Sequence, residues 1–384
     1  MNTRIFKKTG EAVSLLGFGC MRLPVKTDGS IDYDVGQVMV DHAIASGINY
    51  FDTAYFYHDR QSEPFIGTAL SKHPRESFNI ATKMPLMIVS SEEDVERFFN
   101  EQLENCRVDY FDYYLIHNIN TAYLSKMRKY KVYEKMKEKQ AQGKIKHLGF
   151  SFHDNIDVLV ETLENYEWDF AQIQLNYMDW ELQNAKGEYE LLTQNEIPII
   201  VMEPVRGGVL ATLCDKSIEI LKEANPAVSP ASWAVRFAAS LPNVLTVLSG
   251  MTNMEQLHDN IKTIDNFTPL VPDDYTVIDK ALEAYKKSGV IPCTACRYCM
   301  DCPEGVDIPK VLAVYNNYLI GVTNNRRMND FTFDIEYRIL DKTNQAHHCI
   351  QCNQCVNSCP QHIDIPDWMQ KIDGFVQERK EATK

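Results

Sequence analysis

At 384 residues, of which 45% are hydrophobic and 24% are charged, the chain is long enough for one barrel of about 250 residues and a further module of about 100 residues. It contains no apolar run of the roughly 18 residues that a membrane span requires, and its first residues lack a secretory apolar stretch, so we expect a cytoplasmic protein without a membrane partner. The formal net charge of −14 argues against a nucleic-acid partner, because such proteins usually carry a basic face.

Short apolar runs alternate with amphipathic stretches up to about residue 260. The predicted strands are 15–19, 48–51, 78–82, 111–116, 145–150, 170–175, 198–202 and 244–249. The predicted helices are 33–46, 62–72, 92–106, 132–142, 155–165, 184–195 and 230–240. Repeated strand-helix units with apolar strands predict an α/β protein with a parallel (β/α)8 TIM barrel. A doubly wound sheet is the alternative, although no Gly-x-Gly-x-x-Gly opens the first helix.

A second, smaller domain is predicted after the barrel. An amphipathic segment, 273–288, ends just before Cys293, so we place the boundary between a barrel of residues 1–288 and a mainly α-helical domain of residues 289–384. This domain contains an internal repeat, since 302–309 recurs as 359–366. In each copy an Asp precedes Ile-Pro, which predicts a helix with Asp as its N-cap and Pro in its first turn. The Arg326–Arg327 pair is expected at the surface.

Eight of the 11 cysteines lie in two tight groups near the C-terminus. They are Cys293, Cys296, Cys299 and Cys302, and then Cys349, Cys352, Cys355 and Cys359. Clustered cysteines in a cytosolic chain indicate metal rather than disulfides, and eight thiolates at this spacing predict two [4Fe-4S] clusters. Structural zinc and clusters kept only for stability are the alternatives. The scattered Cys20, Cys106 and Cys214 are predicted to be buried packing thiols.

The cysteine groups resemble those of bacterial two-cluster ferredoxins, in which the Cys before Pro binds the other cluster. The resemblance implies one cluster on Cys293, Cys296, Cys299 and Cys359, and the other on Cys302, Cys349, Cys352 and Cys355. The first group departs from the pattern with two residues rather than three before its Cys-Pro, so the pairing stays open.

Four titratable residues follow or end three of the predicted strands. Asp52 and Tyr57 come after the second strand, Lys83 after the third and His117 after the fourth. Active sites of TIM barrels are built at this rim. Taken singly, each of these residues has an ordinary structural explanation, but four titratable groups on one rim together predict a catalytic site.

Seven segments within about residues 3–265 together resemble the aldo-keto reductases. They are Gly17–Leu23, Asp52 with Tyr57, Ala81–Lys83, Tyr113–His117, Gly149–Ser151, Gln172–Tyr177 and Met254–Asn260. The resemblance implies Tyr57 as general acid, Lys83 and Asp52 as the groups that tune its pKa, and His117 as the residue that orients a carbonyl substrate. Because an ammonium held by a carboxylate stabilises a phenolate, we expect Lys83 to lower the pKa of Tyr57.

The same resemblance implies a nicotinamide site and the cofactor NAD(P)H. Its residues are Ser151, Gln172, Arg206, Gly207, Gly250, Gln256 and Asn260. Phe152 stands where the family usually has Asn, and Gly250 and Gln256 stand where NADP-preferring members often have Lys and Arg. The choice among NADH, NADPH and another cofactor therefore stays open.

A hydride carries two electrons whereas each cluster passes one, so a flavin is a possible intermediary, with Arg206 and the adjacent glycines on its phosphate. The leading hypothesis is an oxidoreductase that reduces a small carbonyl-type substrate, with electron transfer through the clusters to or from a ferredoxin or another redox protein. The alternatives are an electron-transfer or redox-sensing subunit whose barrel is a scaffold, and a conventional NAD(P)H reductase with structural clusters.

Overall fold

The computed structural model describes residues 1–287, 289–323 and 329–382. Its contacts divide the chain into two compact units. The first consists of Met1–Val205 and Ala231–Leu270, and the second of Arg206–Pro230 and Val271–Lys384. Ser288, at the predicted domain boundary, and the Arg326–Arg327 pair lie outside the described residues.

The first unit contains a closed barrel of eight parallel strands, so the predicted fold class is confirmed and the doubly wound alternative is wrong. The strands are β3 (Leu16–Gly19), β4 (Tyr50–Asp52), β5 (Asn79–Met84), β6 (Phe111–Ile119), β7 (Ile145–Phe152), β8 (Phe170–Gln174), β9 (Ile199–Met202) and β10 (Val244–Gly250). They neighbour one another in chain order, and β10 pairs with β3 to close the barrel. Nearly every strand residue is buried, because helices cover the sheet outside and side chains fill it inside.

An antiparallel hairpin, β1 (Thr3–Phe6) with β2 (Glu11–Ser14), precedes the barrel. Its Phe6 and Val13 are buried in one apolar cluster with Tyr50, Tyr113 and Phe170. Tyr50 begins its strand and Phe170 begins another, so the hairpin fills the N-terminal end of the barrel. The sequence analysis missed this hairpin, since each strand is only four residues long and carries charged residues.

Seven helices of the first unit begin and end close to their predicted positions, and three more, at 121–129, 179–182 and 254–265, were not predicted. Together they are α1 (Tyr33–Ala45), α2 (Ser62–Leu70), α3 (Glu92–Cys106), α4 (Thr121–Lys129), α5 (Val132–Ala141), α6 (Ile156–Asn165), α7 (Asp179–Leu182), α8 (Ala185–Gln194), α10 (Pro230–Ala239) and α11 (Met254–Asp265). Several begin at a side-chain cap, as when Ser91 accepts from Asp94 N and Asn155 from Val158 N, which satisfies otherwise unpaired N–H groups. Within the described residues, no helix is long and apolar enough to cross a membrane.

The second unit is mainly helical, and the sequence predicted this for the part of it that follows residue 288. Its helices are α9 (Asp215–Ala224), α12 (Pro272–Lys286), α13 (Ile308–Thr323), α14 (Asn329–Ile339), α15 (Gln354–Ser358) and α16 (Ile365–Ala382). The two predicted Asp caps are confirmed, because Asp307 Oδ1 accepts from Lys310 N at 3.5 Å and Asp364 Oδ1 from Asp367 N at 3.3 Å. Both repeats therefore lead from a Cys-Pro turn into a helix.

Candidate functional site

The four predicted catalytic residues meet at the C-terminal rim of the barrel. Asp52 ends β4, Lys83 lies in β5 and His117 in β6, and each is at most 3% exposed. Tyr57 is half-buried in the loop after β4. Parallel pairing of neighbouring strands brings their carboxyl ends to one edge, so residues distant in sequence become neighbours.

Lys83 is the centre of this group. Its Nζ donates hydrogen bonds to Asp52 Oδ1 at 2.6 Å, to the Thr53 carbonyl oxygen at 2.7 Å and to Tyr57 Oη at 3.3 Å. Three acceptors in nearly dry surroundings fix the ammonium, since a buried charge is stable only when it is paired and hydrogen-bonded. Burial raises the pKa of Asp52, while Lys83 and the amide of Gln172 act in the opposite direction.

His117 faces Tyr57, with ring centroids 6.5 Å apart and ring planes at 86°. Burial lowers the pKa of His117 well below its ordinary value, and the positive charge of Lys83 lowers it further. The imidazole is therefore neutral near pH 7, and a neutral ring offers one N–H donor and one acceptor.

The pKa of Tyr57 is shifted in the direction opposite to the one expected from the sequence. Burial raises it well above its ordinary value, and the negative charges of Asp52 and Glu203 add to this, with Arg22 opposing them. The expectation of a lowered pKa for Tyr57 is wrong, because burial and the two carboxylates outweigh the cation that opposes them. The phenol consequently holds its proton.

The sequence analysis missed a charged pair near Tyr57. Arg22 follows β3, Glu203 follows β9, and Arg22 Nη2 lies 3.8 Å from Glu203 Oε1. Glu203 also has a left-handed backbone, with φ of 54°, which is uncommon for a residue other than glycine and is often found at functional sites. The position of both residues directly after barrel strands was the signal that could have revealed them.

Two of the predicted nicotinamide residues lie beside the catalytic group. Gln172, in β8, is 1% exposed, and its Oε1 has no hydrogen-bond partner among the described residues. Asp52 Oδ2 is likewise buried without a partner among them. Unpaired buried polar atoms are costly, so these two acceptors fit a bound group that donates hydrogen bonds, as a carboxamide does. Ser151, in β7, accepts a hydrogen bond from Asn118 N at 2.8 Å and thereby holds the residue after His117.

The loop after β10 contains three other predicted cofactor residues. A Cβ on Gly250 would lie 2.6 Å from Arg22 Cγ, so this position has no space for a side chain unless Arg22 moves. Gln256 Oε1 accepts from Thr252 N at 2.7 Å, and Asn260 Nδ2 donates to Ser249 Oγ at 2.9 Å. Gln256 and Asn260 thus make contacts that order this loop.

Arg206 and Gly207 are placed differently from the sequence-based expectation. Both belong to the second unit rather than to the first. The Arg206 side chain is fully buried, and its guanidinium donates to the Pro292 carbonyl oxygen at 2.9 Å and to Gln361 Oε1 at 2.8 Å. The prediction that Arg206 holds a cofactor phosphate is therefore corrected, because the structure directs these donors to residues beside the cysteine groups.

The two cysteine groups share one backbone conformation. Ala295 and Arg297 flank Cys296 with φ of 52° and 67°, and Gln351 and Asn353 flank Cys352 with φ of 57° and 62°. Left-handed residues at such turns can direct backbone N–H groups inward, as in the anion-binding concavities found at Fe–S sites. The Ala295 N–H already donates to Cys293 Sγ at 3.4 Å.

The thiols assemble as two sets of four, and each set combines both groups. Burial raises the pKa of Cys299, and the neighbouring Cys296, Cys293 and Cys359 raise it further. Burial raises the pKa of Cys355 to about 11, with contributions from Cys349, Cys302 and Cys352. Each Cys-Pro cysteine therefore lies with the three cysteines of the other group.

A cavity marks the second of these sets. It is lined by Cys302, Cys349, Cys352 and Cys355 together with mostly apolar side chains. Within the described residues, no three His, Cys, Asp or Glu side chains are arranged around a single metal ion. The thiolates of a cubane bind four different iron atoms, so they need not converge on one point, and these residues fit an iron–sulfur cluster.

A parallel barrel with a Tyr, Lys, Asp and His set on its rim defines an oxidoreductase. The model of the aldo/keto reductase family matches residues 15–283, and that of a 4Fe-4S dicluster domain matches residues 292–364. The chain therefore belongs to the aldo/keto reductase family and carries a 4Fe-4S dicluster domain after the barrel.

Named relatives agree with this assignment. A probable aldo-keto reductase from Glycine max is 31% identical over 150 residues, which cover 37% of this chain and 42% of that protein, less than half of its length. L-galactose dehydrogenase from Arabidopsis thaliana is 24% identical over 308 residues, covering 74% and 95% of the two chains. The solved holo form of an aldo-keto reductase from Bacillus halodurans, 24% identical, has a TM-score of 0.62 and covers 73% of this chain and 96% of its own, which shows a common fold.

Proposed function

We propose that this protein reduces a small carbonyl-type substrate in its barrel and exchanges electrons with a redox partner through two [4Fe-4S] clusters. The observation that carries the proposal is the hydrogen-bonded arrangement of Lys83, Asp52 and Tyr57 beside a neutral His117. A barrel that served only as a scaffold would have no need of a buried ion pair, which is costly to desolvate.

The proposed chemistry is a hydride transfer assisted by proton donation. A bound nicotinamide would supply the hydride to the carbonyl carbon. The Tyr57 hydroxyl gives its proton to the carbonyl oxygen, and the resulting phenolate is stabilised by the ammonium of Lys83, 3.3 Å away. A high pKa keeps Tyr57 protonated before reaction, and the neutral ring of His117 can donate a hydrogen bond to the same oxygen.

The proposed cofactor is NAD(P)H, held by Ser151 and Gln172 at the carboxamide. At the loop after β10, Gly250 offers no side chain and Gln256 is hydrogen-bonded to Thr252 N, so neither offers a cation to a 2′-phosphate. We therefore expect NADH to bind at least as tightly as NADPH. The flavin hypothesis no longer has Arg206 as a phosphate partner, because its guanidinium donates to Pro292 and Gln361.

We assign the first cluster site to Cys293, Cys296, Cys299 and Cys359, and the second to Cys302, Cys349, Cys352 and Cys355. When bound, such clusters supply one-electron transfer. The neighbours of Cys299 and Cys355 support this pairing. We keep the domain boundary between residues 288 and 289 as a proposal, since the two family matches fall on either side of it.

Electron transfer is favoured over a purely structural role because the cysteine domain has an apolar core of its own. Buried residues of α13 and α16, among them Val311, Leu312 and Ile372, pack in one cluster. A domain with such a core does not need clusters as its main source of stability, unlike small metal-dependent folds. The exposed Cys352 in the second site offers a point of approach to a ferredoxin or another redox protein.

The test is an anaerobic purification in which iron, sulfide, flavin and nicotinamide are measured on one sample and spectra are recorded with NADH, NADPH and dithionite. We expect about eight iron and eight sulfide per chain, and carbonyl-dependent oxidation of NADH that Tyr57→Phe slows by about 10²–10⁴-fold. Bleaching of the clusters by NADH would establish electron transfer from the nicotinamide to the clusters. Clusters that only dithionite bleaches, and whose loss leaves turnover unchanged with every donor, would favour a conventional reductase with structural clusters. A Tyr57→Phe variant whose turnover equals that of the wild type would overturn the proposed chemistry.

A further inference from the structure

Arg206 connects the two chain segments that form the first cysteine site. It opens a short 3-10 segment, Arg206–Ala211, after β9. One guanidinium nitrogen donates to the carbonyl of Pro292, the residue before Cys293, and the other donates to the side chain of Gln361, two residues after Cys359. The side chain is 0% exposed and Gln361 is 8% exposed, so the hydrogen bond to Gln361 is shielded from water, and the one to Pro292 is partly buried.

The backbone around Arg206 is held in an unusual conformation. Arg206, Gly207 and Gly208 have φ of 51°, 63° and 97°, three left-handed residues in succession. This conformation is unfavourable for an arginine and persists only where surrounding contacts determine it. The two hydrogen bonds to the cysteine segments are such contacts, and they point to a role for the guanidinium in the first site.

The internal repeat places a different charge at the second site. Cys359, Pro360, Gln361 and His362 correspond to Cys302, Pro303, Glu304 and Gly305, and the last residue of each turn is left-handed, with φ of 50° and 69°. Gln361, in the turn beside the first site, accepts from Arg206. Its counterpart Glu304 lines the cavity of the second site with Cys302, Cys349 and Cys355. A cation is thus held at one site and a carboxylate at the other.

Reduction adds a negative charge to a cluster, and nearby charges and hydrogen bonds set its reduction potential. The buried Arg206 cation favours the reduced form with little screening by water, whereas the exposed carboxylate of Glu304 disfavours it more weakly because water screens its charge. We propose that Arg206 gives the first site the higher reduction potential of the two. An electron that arrives at the exposed Cys352 side then moves toward the first site. This inference rests on the proposed function only in requiring that both sites carry clusters.

The test uses the full anaerobic holoprotein in a potentiometric titration followed by electron paramagnetic resonance, with iron and sulfide measured for every variant. Gln361→Glu keeps an acceptor for Arg206 but adds a negative charge beside it. Arg206→Lys keeps the positive charge but loses the two-pronged hydrogen bonding. Glu304→Gln removes the negative charge of the second site and is the matched control. Cys352→Ser, which alters only the second site, identifies which signal belongs to which site.

We expect two separate midpoints in the wild type, the higher one belonging to the first site. Gln361→Glu should lower that midpoint by at least a tenfold change in the one-electron equilibrium, about 59 mV. Arg206→Lys should keep the midpoint of the first site at its wild-type value. Glu304→Gln should raise only the midpoint of the second site. A fully loaded Gln361→Glu protein with both midpoints unchanged would overturn the inference, as would a wild type in which the Cys352 site has the higher midpoint. A chain that binds no clusters would refute the proposed function as well, whereas an inert barrel with the expected midpoints would refute only the proposed function.

Discussion

Removal of the Lys83 ammonium tests whether Asp52 is a buried, charged carboxylate. Lys83 and Asp52 are 1% and 3% exposed, and their charged atoms are 2.6 Å apart. Lys83→Met would leave the carboxylate without its cation, and uncompensated buried charges of this kind cost about 3–5 kcal/mol. The carboxyl can escape this penalty by taking up a proton.

Protonation of Asp52 sets an upper limit on the free energy of unfolding that Lys83→Met can lose. With an ordinary pKa of 3.8 for Asp52 and about 1.4 kcal/mol per pH unit, keeping the carboxyl protonated at pH 7 costs about 4 kcal/mol. At pH 5.5 this limit falls to about 2 kcal/mol. The double variant Asp52→Asn/Lys83→Met has no charge to bury, so its stability should exceed that of Lys83→Met and should depend less on pH.

The assay is anaerobic urea unfolding followed by near-ultraviolet circular dichroism at pH 7 and 5.5, for wild type, both single variants and the double variant. Equal iron content in all four would show that the cysteine domain is intact. We expect a coupling energy of about 2–3 kcal/mol between the two positions at pH 7. If Lys83→Met and the double variant unfold at the same urea concentration at both pH values, Asp52 is not a charged residue stabilised by Lys83 and the reasoning is refuted.

Three further outcomes follow from the site. Tyr57→Phe should lower kcat by about 10²–10⁴-fold while the Kd for NADH, measured by fluorescence, stays within twofold; a loss of NADH binding would instead indicate a binding role. His117→Gln should remove part of the loss of stability below pH 6.5, because the folded pKa of His117 is lowered and the unfolded state alone takes up that proton; parallel pH profiles of unfolding would contradict this. Cys352→Ser should lose about half of the iron, whereas the buried Cys106→Ala should lose none; equal iron in both would exclude Cys352 as a ligand.

The local features of this protein were readable from its sequence. A window of about ten residues is enough to recognise a strand of continuous apolar residues or a helix with 3.6-residue periodicity. All eight barrel strands lie near their predicted positions. The Asp caps of α13 and α16 are equally local, since a cap depends on the next three residues. The catalytic group was predictable because strand ends of a parallel barrel meet at one rim.

Contacts between distant segments were decided only by the tertiary structure. The hairpin containing Phe6 was missed because its short strands gain stability from the barrel interior rather than from their own pattern. The pKa of Tyr57 rises because burial and the carboxylates of Asp52 and Glu203 act together, and their proximity depends on the closed barrel.

The partners of the Arg206 side chain were likewise decided by the tertiary structure rather than by the sequence. The sequence identified it as a cation beside two glycines and suggested a phosphate, while the structure gives it Pro292 and Gln361 as partners. Residue type and spacing along the chain determined which groups could bind metal or donate protons. The fold determined which of those groups meet, because electrostatic and hydrogen-bonding energies depend on distance in space and on the exclusion of water.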